Sequence, residues 1–216
     1  MQRPRVLLAD DHRLLVEACA KLLEPECEVV GVVGDGRALM VAAERHHPDV
    51  VVLDIGMPLL NGLDAGRQLK ELMPGVKLIF LTMNEDPDLA AEAFRIGASE
   101  FLLKSSAASE LSRAIQTAVQ GTVSVGSRTA RGAIEPFIRN GKRSRLGQLT
   151  LRQREVLQLL AEGYSMKEAA DILTVTPRTV AFHKYRIMDQ FHVKNNAQLI
   201  QFAIKQGLLP ASQLHR

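Results

Sequence analysis

The sequence predicts an α/β doubly wound five-stranded parallel sheet, followed by an all-α domain of four helices. Through residues 4–121, short apolar runs alternate with amphipathic stretches, and polar side chains follow several of the apolar runs. The remainder shows helical spacing only, interrupted by capping residues and glycine. With 216 residues, 46% of them apolar and 24% charged, the chain is long enough for two globular domains.

Five apolar runs are the candidate strands of the sheet. They are RVLLA (5–9), CEVVGVV (27–33), VVVL (50–53), KLIFL (77–81) and EFLL (100–103). Each run precedes a stretch with apolar residues three and four apart, which is typical of a helix. Strands that alternate with helices form a parallel sheet covered on both faces, and ligands bind beyond the carboxyl ends of its strands.

Polar side chains stand at the carboxyl ends of four of these strands. Asp10 and Asp11 follow the first, Asp54 the third, Thr82 the fourth and Lys104 the fifth. Each has a simpler interpretation, since Asp11 or Thr82 could cap the next helix and Lys104 could face solvent. Their shared position at one edge of the sheet favours a common site.

Three carboxylates within a few ångströms of one another favour a hard divalent cation, because their charges repel. Mg²⁺ fits, since it takes oxygen ligands and is commonly held by one or two carboxylates plus a phosphate. With Mg²⁺ and Lys104 neutralising phosphate oxygens, Asp54 can attack phosphorus and become an acyl phosphate. The charge at the end of a buried strand is therefore interpreted as a nucleophile on a rigid element.

The residues of this edge match a family pattern. Asp10-Asp11, Asp54 followed by the pair MP, Thr82 and Lys104, with FLTMNED and GASEFLLKSS between, closely resemble the receiver domain of two-component response regulators. The resemblance covers residues 4 to about 121 and implies a flavodoxin-like fold.

The resemblance also implies roles for single residues. Asp54 would accept phosphate from a sensor histidine kinase, and Asp11, Asp54 and the carbonyl of Gly56 would hold Mg²⁺, with Asp10 assisting through water. Thr82 and Phe101 would be the switch pair, although Phe101 is equally compatible with simple core packing.

Phosphatases of the haloacid dehalogenase type also form an aspartyl phosphate, so an enzyme is the first alternative. They need a second Asp two residues after the nucleophile as general acid, and Gly56 stands there. The expected chemistry is therefore limited to self-phosphorylation and slow self-dephosphorylation at Asp54.

Charge is unequally divided along the chain. Residues 1–124 carry 12 Lys and Arg against 18 Asp and Glu, whereas residues 125–216 carry 15 against 6. A basic second half favours a polyanion such as nucleic acid as partner, although many basic surfaces are merely solvated. The sign changes near RTARGAIEPFIRNGKRSRLGQ, so we predict domains at 1–121 and 148–216 with a linker at 122–147.

Helix start signals divide the second half. Thr150 is a predicted N-cap, Ser165 opens the capping box SMKE, and Thr176 precedes Pro177 at a first helical position. Three residues, 174–176, separate the second and third of these helices. This spacing is typical of a helix-turn-helix, whose second helix enters the major groove of DNA.

Residues 149–209, with REVL, AEG, S-x-K-E and TV-x-x-H, strongly resemble the LuxR-type DNA-binding domain, so the whole chain resembles a NarL/FixJ-type response regulator. The resemblance implies phosphate contacts at the turn and base contacts along the third helix. It also implies a homodimer on double-stranded DNA, formed through the last helix at about 195–206. The DNA-contacting residues are then Thr176, Arg178 and Thr179 for phosphates, Ala181, Phe182 and Tyr185 for base edges, and Lys184 and Lys194 added on charge.

Each half of the chain has an alternative function. The receiver could serve only as a dimerisation module of a constitutive DNA-binding regulator, or the second half could be a protein-binding bundle. No apolar stretch approaches the roughly 18 residues of a membrane helix, so we expect no membrane partner and a cytoplasmic location. Cys19 and Cys27 favour core packing over a disulfide or a metal site.

Overall fold

The structure, a computed structural model, describes residues 3–121, 148–205 and 208. The chain divides into two compact units, Met1–Lys142 and Arg143–Arg216, and each is described by itself. The predicted linker at 122–147 lies outside the described residues, so the predicted domain limits stay predictions.

The first unit alternates strands and helices in a parallel sheet. Its elements are β1 (Arg5–Ala9), α1 (Arg13–Leu23), β2 (Glu28–Val33), α2 (Gly36–His46), β3 (Val50–Asp54), α3 (Gly62–Leu72), β4 (Lys77–Thr82), α4 (Pro87–Ile96), β5 (Glu100–Leu103) and α5 (Ala107–Val119). The strand order is β2-β1-β3-β4-β5, and every pair is parallel. The order reverses beside β1, which is the kind of point where ligands bind in such sheets.

Both faces of the sheet are buried, which accounts for the continuous apolar run of β3. Val51 and Leu53 belong to a core cluster with residues of α2, α3 and α4, whereas Val50 and Val52 belong to a second cluster with residues of α1 and α5. None of these four side chains is more than 2% exposed. The charge of Asp54 therefore follows a strand that packing holds on both sides.

The start of α3 lies directly against the end of β3. A Cβ atom added to Gly62 would lie 2.1 Å from the carbonyl oxygen of Asp54, so only glycine fits there. The amide of Gly62 donates to the carbonyl of Ile55 at 2.9 Å, and the side chain of Asn61 caps α3 by accepting from the amide of Asp64. These contacts fix the loop that follows Asp54.

The second unit consists of four described helices, α6 (Leu151–Ala161), α7 (Met166–Leu173), α8 (Pro177–Gln190) and α9 (Asn196–Lys205). Thr150 and Ser165 form capping boxes, and Thr176 caps α8. Residues 174–176 separate α7 from α8, as the sequence predicts, and Gln206 lies outside the described residues. The core of this unit contains Leu149, Leu157, Ile187, Leu199, Phe202 and Ala203.

The two cysteines of the first unit are not joined by a disulfide. Cys19 and Cys27 are buried and carry free thiols. Burial raises the pKa of both thiols. Within the described ranges, no helix combines the length and the apolar character that crossing a membrane requires.

Candidate functional site

Four side chains from four parts of the first unit meet at one edge of the sheet. Asp10 directly follows β1, Asp54 ends β3, Thr82 ends β4 and Lys104 directly follows β5. None of the four residues is more than 8% exposed. Charged groups this deeply buried require partners, and Lys104 pairs with both Asp10 and Asp54.

Lys104 binds both buried carboxylates. Its Nζ lies 3.0 Å from Oδ2 of Asp54 and 2.8 Å from Oδ2 of Asp10. Burial alone would lower the pKa of Lys104, but the charges of Asp54 and Asp10 outweigh burial and raise it. Lys104 is therefore a fixed cation beside Asp54.

Asp54 sits in an environment that opposes its ionisation. Burial raises the pKa of this carboxyl, and the charge of Asp10 acts in the same direction. Lys104 and a hydrogen bond from the backbone of Gly56 lower it, but they offset burial only in part. A carboxylate with a raised pKa is a stronger base and a stronger nucleophile than an ordinary one.

Neither Asp11 nor Thr82 is the N-cap of the helix that follows it. The cap of α4 is Asp86, whose side chain accepts from the amide of Asp88, while the hydroxyl of Thr82 accepts from the amide of Asn84 at 3.0 Å. The N-cap of α1 is His12, and it makes no side-chain capping bond. Thr82 is thus held at the site and not at a helix start.

The acidic cluster has a donor set that fits a divalent cation. One ligand atom each from Asp10, Asp11, His12 and Asp54 lies within 4.8 Å of the others. Carboxylate oxygens are the ligands that Mg²⁺ prefers. Asp11 is the exposed member of the carboxylate set, so the cluster opens to solvent on its side.

In the second unit, α8 presents one buried and one open side. Val180 and Ile187 are fully buried, whereas Phe182 is 55% and Tyr185 61% exposed. His183 is half-buried, and burial followed by the charges of Arg152 and Arg186 lowers its pKa. The predicted DNA-contacting residues are exposed at Thr176, Arg178, Phe182, Tyr185 and Lys194 and half-buried at Thr179, Ala181 and Lys184.

Cations flank the two exposed aromatic rings. The guanidinium of Arg186 lies 5.5 Å from the ring centre of Phe182, and Nζ of Lys184 lies 5.7 Å from that of Tyr185. Both distances are within the range of cation–π attraction. The open side of α8 therefore combines flat apolar rings with positive charge, which suits base edges and phosphates respectively.

Family models match both units. Residues 6–116 match the response regulator receiver domain, and residues 147–203 match the bacterial regulatory proteins of the luxR family. The chain is 31% identical to the transcriptional regulatory protein DegU of Brevibacillus brevis, with 94% of each chain covered. It is 30% identical to the oxygen regulatory protein NreC of Staphylococcus epidermidis, over 95% of this chain and 99% of that one. The chain belongs to the NarL/FixJ-type response regulators.

This response regulator also resembles solved structures of RcsB. A structure of the RcsB response regulator of Salmonella typhimurium aligns with a TM-score of 0.65 at 25% identity, over 95% of this chain and 99% of that one. RcsB bound to promoter P1flhDC in the presence of the phosphomimetic BeF₃⁻ aligns with a TM-score of 0.62. The chain is thus a transcriptional response regulator with a receiver domain and a LuxR-type DNA-binding domain.

Phe101 packs against α4. It lies on β5, is partly buried, and packs against Ala90 and Ala91 of α4 together with Phe94. Its strand pairs with β4, which carries Thr82 at its end. In this pairing Phe101 lies opposite Phe80, and Leu103 lies opposite Thr82.

Sequence reasoning missed one residue of the acidic cluster. His12 Nδ1 lies 2.8 Å from Oδ1 of Asp11 and 3.0 Å from Oδ1 of Asp10. The available signal was its position directly after the Asp10-Asp11 pair.

Proposed function

We propose that this response regulator accepts a phosphoryl group on Asp54 from a sensor histidine kinase and then binds double-stranded DNA as a homodimer. The observation that carries the proposal is the buried pairing of Asp54 with Lys104 beside Asp10. A buried nucleophile next to a fixed cation is suited to a reaction that brings three phosphoryl oxygens into the same space.

The chemistry of the acceptor step follows from these positions. An oxygen of Asp54 attacks phosphorus, and the bond between phosphorus and the donor's imidazole nitrogen breaks. That nitrogen keeps the bonding electron pair and takes a proton from solvent. Lys104 binds phosphoryl oxygens, and the hydroxyl of Thr82 donates to one of them. Mg²⁺, when bound by Asp10, Asp11, Asp54 and the Gly56 carbonyl, supplies the further positive charge that the transferred group needs. The protein's own activity is then limited to self-phosphorylation and slow self-dephosphorylation.

The output is proposed to depend on the Thr82–Phe101 pair. When Thr82 turns toward the phosphoryl group, Phe101 can move into the space beside it, which changes the packing against α4. A coupling free energy of about 1–3 kcal/mol is typical between two such sites. That range corresponds to roughly 5- to 150-fold in DNA affinity.

The DNA contacts are proposed on the open side of α8 and the turn before it. Arg178, Lys184 and Lys194 supply charge for phosphates, and Phe182 and Tyr185 supply surface for base edges. The similar structures support both DNA binding and dimerisation, because they include RcsB bound to a promoter and two RcsB dimers bound to two parallel DNAs.

The test is selection of duplex DNA from a random pool by the full chain, with and without Mg²⁺ and a small acyl phosphate donor. Wild type, Asp54→Asn and the exposed control Glu71→Gln are compared. We expect the donor to increase enrichment of a two-half-site sequence for wild type and Glu71→Gln, and mass spectrometry to show one added phosphoryl group. Asp54→Asn should respond in neither assay.

Equal DNA binding by all three proteins under every condition would support the alternative function, a constitutive regulator whose receiver serves only for dimerisation. Binding that does not weaken as salt rises would contradict DNA recognition altogether, because neutralising phosphates releases counterions.

A further inference from the structure

A chain of charged side chains joins α3 to α4. The guanidinium of Arg67, on α3, lies 2.6 Å from Oδ1 of Asp64 through Nη1 and 2.5 Å from Oε1 of Glu92, on α4, through Nη2. The other carboxylate oxygen of Glu92 pairs with Arg95. The side chains of Asp64 and Glu92 are 2% and 17% exposed, so both carboxylates depend on these pairs in place of water.

The α3 end of this chain is fixed to the acceptor. Nδ2 of Asn61 donates to Oδ2 of Asp64 at 2.9 Å, and Asn61 belongs to the loop that follows Asp54. Gly62, the first residue of α3, leaves no room for a Cβ beside the carbonyl of Asp54. Arg67 therefore lies on a helix whose start cannot shift without moving Asp54.

The α4 end lies next to the contacts that the proposed switch changes. Phe101 packs against Ala90 and Ala91, and Glu92 is the next residue of α4. A movement of α4 relative to α3 changes the distance between Glu92 and Arg67. The ion pair between these two residues therefore reports, and resists, a displacement of α4.

We propose that the Arg67–Glu92 pair is a latch, which holds α4 in the position it has while Asp54 is unphosphorylated and breaks when α4 responds. The latch limits DNA binding in the absence of a signal, because a contact made in one of two states shifts the equilibrium toward that state. The inference rests on the proposed function, since it takes α4 as the element that responds to Asp54. It names the contact that opposes this response.

The pairs on either side allow the latch to open at low cost. Arg67 and Asp64 both lie on α3, and Glu92 and Arg95 both lie on α4, so each of these pairs moves with its own helix. When α4 separates from α3, Arg67 keeps Asp64 and Glu92 keeps Arg95. Breaking a buried ion pair is expensive chiefly because one charge is left without a partner, and that does not happen here. The pair that crosses between the helices can thus be made and broken while both helices stay folded.

The experiment compares the wild-type full chain with Glu92→Gln, Arg67→Met, the double variant and the control Arg95→Met. Fluorescence anisotropy measures affinity for the duplex that wild type enriches from the random pool, with and without Mg²⁺ and the acyl phosphate donor. Mass spectrometry confirms the phosphorylation state, and circular dichroism confirms that each variant is folded. Arg95→Met removes the same positive charge as Arg67→Met but leaves the latch in place.

Without donor, Glu92→Gln and Arg67→Met should each bind the duplex about 2- to 30-fold more tightly than wild type, the range over which residues between two coupled sites act. The donor should then raise their affinity less than it raises that of wild type, because α4 is already released. The two substitutions change the net charge in opposite directions, so a gain in both is not electrostatic attraction to DNA.

The double variant should gain no more than either single variant, because both substitutions remove the same contact. Arg95→Met should match wild type. Affinity without donor that stays at the wild-type value in Glu92→Gln would overturn the inference, and so would an equal gain in Arg95→Met.

Wild type itself separates this result from the proposed function. If wild type gains a phosphoryl group and binds DNA more tightly with donor, while Glu92→Gln without donor binds as wild type does, only the latch is wrong. If wild type binds DNA equally with and without donor, there is no switch for a latch to hold, and the proposed function and the inference both fail.

Discussion

Nζ of Lys104 lies 3.0 Å from Oδ2 of Asp54, and both side chains are buried. Burial nevertheless raises the pKa of Asp54, so the ion pair does not fully offset the cost of removing the carboxylate from water. We therefore expect Asp54→Asn to increase the melting temperature of the protein by a few degrees in EDTA at neutral pH. Glu71→Gln, a similar change at an exposed position, should leave it unchanged.

The raised pKa of Asp54 also determines how the difference in melting temperature between wild type and Asp54→Asn depends on pH. The folded-state pKa of Asp54 lies above its ordinary value of 3.8, so the ionised carboxylate lowers the free energy of unfolding of the wild type. This penalty is complete above the folded-state pKa. The penalty disappears as pH falls through the folded-state pKa toward the ordinary one. Thermal unfolding of both proteins across this range should show their melting temperatures converging, and an asparagine variant less stable at neutral pH would contradict the account.

Gly62 should not tolerate even a methyl group. Gly62→Ala places a Cβ 2.1 Å from the carbonyl oxygen of Asp54, so α3 or the end of β3 has to move. We expect a loss of about 1–3 kcal/mol in the free energy of unfolding, the usual range for overpacking. Phosphoryl transfer to Asp54 should slow as well, because the acceptor moves with its backbone.

Gly75→Ala is the matched control for this change. An added Cβ at Gly75 meets nothing within 4 Å, and its backbone is not in the left-handed region. Urea denaturation should show Gly75→Ala within about 0.5 kcal/mol of wild type. Equal losses for the two alanine variants would show that the contact with Asp54 is not the cause.

The two kinds of side chain on α8 should affect DNA binding differently. Arg178→Ala should weaken binding to all sequences and reduce the slope of log affinity against log salt by about one. Phe182→Ala should leave that slope unchanged and relax the sequence preference at one position. Fluorescence anisotropy over a salt series distinguishes the two, and a changed slope for Phe182→Ala would contradict its assignment to base edges.

Thr176 should stabilise the DNA-binding unit as a helix cap. Its hydroxyl accepts from the amide of Thr179 at 3.2 Å, at the first turn of α8. Thr176→Ala should cost about 1 kcal/mol of stability, and Thr176→Ser should restore most of it because serine caps equally well. If the serine variant unfolds at the same denaturant concentration as the alanine variant, the cap is not what Thr176 contributes.

Local signals predicted much of this molecule. The strand ends that carry Asp54 and Lys104 follow from the alternation of apolar runs. The N-cap at Thr150 follows from its position before a helical run, and the capping box at Ser165 follows from Glu168 three residues later. The position of His12 could not be predicted in this way, since it depends on a backbone bond to Asp10 and on a side-chain rotamer. Side-chain orientation at a strand end is set by tertiary packing and leaves no periodic signal.

The close contact of Gly62 with Asp54 is a second feature that no local pattern contains. In the sequence, the glycine before LDAG resembles an ordinary loop residue. That only glycine fits at this position becomes evident when α3 is packed on β3. Likewise, the sharing of Lys104 between two carboxylates depends on the parallel order β1-β3-β4-β5. Topology, more than composition, decides how these groups pair.

The sequence distances within the acceptor site have a consequence for how the protein is made. Asp10 and Lys104 are 94 positions apart, whereas the capping contacts at Thr150 and Ser165 span three. Short-range contacts form quickly, and pairings across long loops form slowly. During synthesis a ribosome must therefore deliver β5 before any acceptor site exists, so an interrupted or slowly folding chain remains unresponsive to its signal until the last strand has joined the sheet.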